Sequence, residues 1–402
     1  MPSSAKKYSK KKLVVCLSRF PYPIEKGDKL RAFYQIRDLS AYFDIYLLCT
    51  SEHEIKTEFY QKLSSYCKQI HIFRLHPLVK WWKLFTGLFG RKPFQVLYFS
   101  QGQIQRKIGY LLEEIKPDHI YCQLIRSAEY VKHYHNCPKT LDLMDALSKG
   151  MERRIDQAGW FFKPLVREES NRLLNYERKI LNYFEYATII SEQDKQFIYH
   201  PNKEEIEVIP NGVDDSFFEV PAKIEQKEYD LVFVGNMSYE PNVEAAEILV
   251  KEVLPILKKK NPGISLLISG VNPSKIVQAL ASDSVHIGGW VDDIRTSYRS
   301  ARVFVAPMRI GSGMQNKLLE AMALGLPCVT SSLANNAILA ESEEEILLAD
   351  DSEETVKQIE RLLQNEELSA KIAKKGNHFV RKRYNWKEIN RGLAKMMNPE
   401  IE

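Results

Sequence analysis

What this 402-residue chain lacks narrows its chemistry before any motif is read. Its six cysteines, Cys16, Cys49, Cys67, Cys122, Cys137 and Cys328, form no C-x-x-C pair, which argues against a zinc knuckle or redox motif and for reduced thiols. No apolar run approaches the ~18 residues needed to span a bilayer. The apolar run in "KKLVVCLSRFPYP" is too short for a signal peptide, so the cytoplasm is the expected compartment. The nine histidines give no metal set, and His133 and His135, two apart, would not share a helix face. No metal is expected. A net charge of +5 is modest, and no nucleic-acid-binding module underlies the basic residues, so no nucleic-acid partner is expected. What is present, 44% apolar and 27% charged residues, is the make-up of a globular protein with real cores.

Strand and helix patterns alternate along most of the chain. "KLVVCLS", "DIYLLCT", "QIHIFRL", "DHIYCQ", "TLDLMD" and "ATIISE" predict strands of a first α/β unit, and residues 151–180 turn helical and charged. "YDLVFVGN", "SLLISG", "VHIGGW", "RVFVAPM" and "PCVTSS" predict a second. The expected class is therefore α/β, with two doubly wound Rossmann-like domains. The boundaries are a basic tail 1–12, a first domain 13–208, a linker 209–228, a second domain 229–382 and an amphipathic C-terminal helix 383–402. Ligands of such sheets bind at the strand carboxyl ends, which points to the crevice between the domains.

"RIGSGMQNKLLEAMALGLPCVTSS", from Arg309 to Ser332, looks like a phosphate loop but fits neither familiar kind. A Walker loop needs Gly-Lys-Ser/Thr, and the chain has Asn316, Lys317 and Leu318 there. A dinucleotide fingerprint needs a third glycine and an acid roughly 20 residues on; Gly311 and Gly313 are followed by Asn316, and Thr330 to Leu333 stand where the acid belongs. A helix is expected to start near Met314, which places Lys317 in a first turn, where the macrodipole disfavours cations. A bound phosphate or diphosphate facing Lys317 and Arg309 accounts for it. Glu320, on the same face, suits sugar hydroxyls. An ordinary surface Lys-Glu pair remains the alternative.

A second cluster, Pro77 to Phe99, mixes aromatics with cations. Trp81, Trp82 and Phe85 with Lys83, Arg91 and Lys92 suit an anionic membrane surface; a core helix with outward-snorkelling lysines would give the same pattern.

"NGVD", "FVGNMSYEPNVEAA", "GWVDDIRTSYRSARVFVAPM" and "GSGMQNKLLEAMALGLPCVTSS" follow in that order. With them the chain resembles the retaining glycosyltransferases of the GT-B fold, family 4. "SRFPYPIEKGDKLRAF" and "DLMDALSKG" resemble a subgroup associated with bacterial exopolysaccharide and exosortase gene clusters. The resemblance implies a metal-independent hexosyl transfer in surface polysaccharide or glycoconjugate synthesis. A nucleotide-diphosphate sugar is the donor, a glycan or lipid-linked molecule the acceptor, and there is no cofactor. It places the acceptor on the first domain and the donor on the second. The C-terminal helix returns to the first domain, anchored by Trp386, and the enzyme sits peripherally on the inner face of the membrane.

By the same resemblance Glu320 binds the ribose. Gly313, Met314 and Gln315, with Asn316 and Lys317, pass the diphosphate and sugar, Trp290 and Val291 contact the base, and Gly27 approaches the donor from the first domain. Asp28 and Arg31 fit donor or acceptor contacts, or capping and surface roles. The chain departs from the family at two points. Its diphosphate-clamping Arg and Lys are replaced by Asn236, after Gly235, and by the region of Pro241 and Asn242, and Ser312 stands where the first glutamate of Glu-x7-Glu belongs. Arg309 and Lys317 are inferred to supply the missing charge, with Asn236 on a phosphate. Asp145, or else Asp142, is the candidate catalytic carboxylate at the end of "TLDLMD", capping being the alternative. Asp292 and Asp293 read as caps. A GT-B sugar-nucleotide epimerase and a non-catalytic GT-B subunit are the rival readings.

Overall fold

A computed structural model describes residues 10–219, 227–310 and 313–401. It divides into two compact units, one of Met1–Pro210 with Lys387–Glu402 and one of Asn211–Trp386.

The first unit is built on β1 (Lys11–Leu17), β2 (Phe43–Ser51), β3 (Gln69–Arg74), β4 (His119–Gln123), β5 (Lys139–Asp142), β6 (Tyr186–Ile189) and β7 (Glu207–Val208). All pairings are parallel, in the order β3-β2-β1-β4-β5-β6-β7. Helices cover both faces, so β1 is a continuous apolar run and not an alternating one. Val14 and Cys16 enter one core with Ile120, Cys122 and Leu141. Leu13, Val15 and Leu17 enter the other, with Ala32, Ile36 and Leu39 of the helix Gly27–Leu39. That second core also takes Leu393, Ala394 and Met397 from the helix Trp386–Met397. Strand order reverses between β1 and β4, which opens a crevice at their carboxyl ends. Lys11 and Lys12, read with the basic tail, belong to β1. The helical stretch 151–180 is two helices, Leu147–Gln157 and Lys163–Ile180, and the connection exposes Trp160, Phe161 and Phe162.

The second unit contains β8 (Tyr229–Val234), β9 (Leu266–Ser269), β10 (Val285–Gly288), β11 (Ala301–Ala306), β12 (Cys328–Thr330) and β13 (Leu347–Leu348), ordered β10-β9-β8-β11-β12-β13. Its reversal lies between β8 and β11. The two-residue edge strands β7 and β13 are too short for a period-2 signal and went unread in the sequence.

One glycine is required by the geometry at this reversal. Gly270, just past β9, has φ +141°, and a Cβ there would lie 1.8 Å from the Gly235 carbonyl oxygen. Gly270→Ala is expected to cost at least about 2 kcal/mol and to displace the turn after β8. Thermal unfolding checks this; an unchanged melting temperature would contradict it.

Candidate functional site

The carboxyl edge of the second sheet places a lysine in an unusual setting. The helix Asn316–Ala323 starts two residues later than the sequence predicts, which brings Lys317 to its second position. The side chain runs inward. Its Nζ donates to Oδ1 of Asn242, lies 3.7 Å from the Met308 sulfur and sits over the Phe233 ring, 4.9 Å from the centroid. Lys317 makes no ion pair with any described residue. Crowding by protein lowers its ammonium to about 7, with Glu320 opposing the change. A desolvated cation held by neutral partners at a helix N-terminus is a ready anion site.

Glu320, one turn on, accepts a hydrogen bond from the Tyr298 hydroxyl at 2.8 Å, the same hydroxyl that lies 3.1 Å from the Lys317 carbonyl. Burial raises the Glu320 carboxyl to about 7, and the Tyr298 bond and Lys317 oppose the rise. The pair is therefore not the solvated surface pair that the sequence left open.

Asn242, named in the sequence only with the region where the resemblance puts a clamping Lys, has a role there that the sequence does not assign. It is 5% exposed, donates to the Asn236 carbonyl at 2.9 Å, and would be struck at 2.7 Å by a Cβ on Gly235. Gly235 thus lets Asn242 come close enough to orient Lys317. A short side chain in "EPNVEAA" carries no signal of this. Asn236, expected on a phosphate, turns its side-chain oxygen to Ser238, accepting from the backbone N–H at 3.1 Å and the hydroxyl at 2.8 Å; it shapes the loop.

Arg309 also departs from expectation. Its guanidinium reaches Glu252 at 3.0 and 2.6 Å and Ser352 at 3.1 Å, so its charge is neutralised within the protein and does not join Lys317. Gly313 is exposed, Met314 packs against the core, Gln315 donates to the Gly313 carbonyl at 2.8 Å, and Asn316 accepts from Asn211 at 3.3 Å. Gly311 and Ser312 lie outside the described residues. Trp290 is exposed and Val291 half-buried, on the loop after β10. Asp293 caps the helix Ile294–Arg299. Among the described residues no group of three or more His, Cys, Asp or Glu side chains could hold a metal ion.

In the first unit the two candidate aspartates separate completely. Asp142, the last residue of β5, is fully buried and accepts from Arg31 Nε at 2.7 Å and Nη2 at 3.1 Å, from the Tyr121 hydroxyl at 2.8 Å and from Thr188 Oγ1 at 3.0 Å. With every lone pair used it is a structural ion, and Arg31, also fully buried and donating to the Pro210 carbonyl at 3.2 Å, is its partner and not an acceptor contact. The aliphatic setting of "TLDLMD" gave no hint that an arginine 111 residues away closes this pair. Asp145 is exposed, three residues on. Crowding raises its carboxyl to about 6, Asp194 and Asp142 adding to the rise and Arg126 opposing it. Asp28 pairs with Arg19 at 2.8 Å. Gly27 opens its helix with nothing within 4 Å of a Cβ.

The aromatic-cationic stretch forms the helix Pro77–Gly87, with Trp81 65%, Trp82 66% and Phe85 59% exposed. Arg91 is exposed, Lys92 pairs with Glu129 at 2.7 Å, and burial and Lys92 depress the Lys83 ammonium. No helix among the described residues is long and apolar enough to cross a membrane.

Residues 228–365 match the family described as Glycosyl transferases group 1. The chain is 24% identical over 403 residues to an uncharacterised 44.6 kDa protein in the cps region of Klebsiella pneumoniae, covering 96% of this chain and 99% of that one. Among solved structures it is similar to sucrose-phosphate synthase from Thermosynechococcus elongatus, with TM-score 0.70, 16% identity and 97% and 99% of the two chains covered. It is also similar to HepE of Anabaena, solved in complex with UDP and glucose, with TM-score 0.68, 15% identity and 96% and 99% covered. Residues 228–365 of the second unit thus match a group 1 glycosyl transferase domain, and the chain shares the fold of these solved GT-B proteins, two parallel-sheet Rossmann-like α/β domains.

Proposed function

We propose that the chain moves a hexosyl group from a nucleotide-diphosphate sugar, bound by the second unit, to a glycan or lipid-linked acceptor in bacterial surface polysaccharide or glycoconjugate synthesis. Transfer proceeds with retention and without a metal, on an enzyme of family 4 docked peripherally on the inner membrane face. The observation that carries this reading is Lys317: a desolvated ammonium with only neutral hydrogen-bond partners, at the strand edge where sheets of this kind take ligands. As the donor bond breaks, negative charge grows on the departing nucleoside diphosphate. A preorganised cation there stabilises the transition state more than the ground state. Glu320 accepts from the ribose hydroxyls. Asp145 supports the positive charge that develops on the sugar carbon, as carboxylates do in glycosyl chemistry, or orients the acceptor hydroxyl. HepE, a structural relative that binds UDP, supports the donor class.

The test is a panel of nucleotide sugars incubated with and without lipid-linked acceptor. Acceptor-dependent release of nucleoside diphosphate is expected. Asp145→Asn should lower turnover at least 100-fold with little change in melting temperature, a rise of about 2.7 kcal/mol in the barrier at ~1.36 kcal/mol per tenfold. Interconversion of the sugar without transfer would instead make the protein an epimerase, and no donor binding would leave a non-catalytic subunit.

A further inference from the structure

At the carboxyl edge of the first sheet, a second cation is held by a neutral hydrogen-bond partner. Arg126 follows β4, and its guanidinium donates to the neutral Gln95 Oε1 at 3.1 and 2.5 Å. It forms no ion pair with any described residue. Arg19, after β1, lies on the same ring: the two guanidinium carbons stand 5.8 and 5.4 Å from the centroid of Phe99. Crowding and, less strongly, Arg19 and Arg154 work against the charged form of Arg126, while Asp28, itself paired with Arg19, and Asp145 support it; a bound anion would add to that support. These two arginines flank the β1/β4 reversal. The backbone there is held in an unfavourable conformation: Leu124, two residues before Arg126, has φ 65° and ψ 142°, a region that bulky residues avoid at a cost of about 1–3 kcal/mol.

Gln95 has a second neighbourhood. It lines an open cup of about 590 Å³ whose wall is otherwise almost wholly apolar, with Trp81, Phe85, Leu88, Phe94, Leu165 and Val166 among its lining residues. Sequence reading found only the half supplied by the helix Pro77–Gly87; the helix Lys163–Ile180 closes the other side. Arg172 fixes the two together, donating to the Gly87 carbonyl at 2.6 Å and lying over the Phe94 ring. The cup's carboxylate, Glu169, is engaged by the backbone N–H groups of Phe94 and Gln95 at 2.7 and 3.0 Å. Apolar wall and cation are thus joined through one glutamine.

We propose that this edge of the first unit holds the phosphate and long apolar chain of a lipid-linked acceptor, the phosphate on Arg126 with Arg19 behind it and the chain laid in the cup, while the hydroxyl that takes the sugar lies on the group carried by the phosphate. Charge complementarity selects this occupant: a neutral chain would make no ion pair with Arg126, and a small anion would leave the cup unfilled. The proposal rests on the transferase reading above and names its acceptor class.

Calorimetry on the full chain with monomeric farnesyl phosphate, farnesol and inorganic phosphate tests it. Farnesyl phosphate is expected to bind at least tenfold tighter than either of the others. Arg126→Gln should reduce it to the level of farnesol, Arg126→Lys should retain part of the difference, and Phe85→Ser, at an exposed position that the fold does not need, should weaken both farnesyl ligands. Equal binding of farnesol, or an undiminished affinity in Arg126→Gln, would overturn the proposal. So would capture of phosphatidylglycerol vesicles with no binding of monomeric farnesyl phosphate, which would make the face a general bilayer dock. UDP and GDP titrated into the same wild-type preparation separate the two readings. If either nucleotide binds and farnesyl phosphate does not, only the acceptor proposal fails; if farnesyl phosphate binds and neither nucleotide does, it is the donor reading that fails.

Discussion

Lys317→Met is expected to weaken binding of a nucleoside diphosphate about 30- to 100-fold while leaving the second unit at least as stable as before. A charge-assisted hydrogen bond to a phosphate contributes roughly 1.5–3 kcal/mol, which sets the loss of affinity. The stability argument runs the other way. An ammonium depressed from 10.5 to about 7 carries a folding penalty of several kcal/mol when charged, at ~1.36 kcal/mol per pH unit. Against that, the bond to Asn242 contributes about 1 kcal/mol. Removing the lysine therefore removes more strain than support.

The pH dependence follows with a definite sign. Between pH 7 and 10.5 the unfolded chain holds a proton on Lys317 that the folded chain does not. The lysine's cost is full below pH 7 and is relieved as pH rises toward 10.5. Glu320 is the reverse case: raised from 4.5 to about 7, it favours the folded state at low pH and that contribution is lost as pH rises through 7. Nucleotide binding needs the charged ammonium, so wild-type affinity should fall between pH 7 and 9, and Lys317→Met should flatten that fall. Titration calorimetry at several pH values, with melting curves, measures both; a variant that binds nucleotide like wild type would remove Lys317 from the site.

Asp142→Ala is expected to destabilise the first unit by about 3–5 kcal/mol, because it leaves Arg31 charged and buried with no counter-ion. For a unit of this size that is a fall of roughly 6–20 °C in melting temperature, at ~2–4 °C per kcal/mol. Replacing both partners, Arg31→Met with Asp142→Leu, should recover much of the loss, since a buried pair is often no more stable than apolar residues of similar volume. A catalytic aspartate would behave differently: turnover would vanish and the melting temperature would stay. Asp145→Asn is expected to follow that second pattern, and the contrast between the two aspartates can be read from melting curves alone. An Asp142→Ala protein that melts like wild type would overturn the structural assignment.

The sequence by itself determined the architecture. Strands such as "KLVVCLS" and "YDLVFVGN" are buried on both faces, so they appear as unbroken apolar runs, and their alternation with helices prescribes two parallel sheets. It also determined Lys317 and Glu320 as a pair, because i and i+3 share a helix face whatever surrounds them. Only the tertiary structure decided which charges are available. Arg309 and Arg31 look as open to a ligand in sequence as Lys317 and Arg126 do. Glu252, 57 residues from Arg309, and Asp142, 111 residues from Arg31, neutralise the first two. The other two are left with Asn242 and Gln95, which are neutral. Local periodicity records which face a side chain takes and not what stands opposite it. Ion pairing is settled by contacts far apart in the chain, and so by the fold.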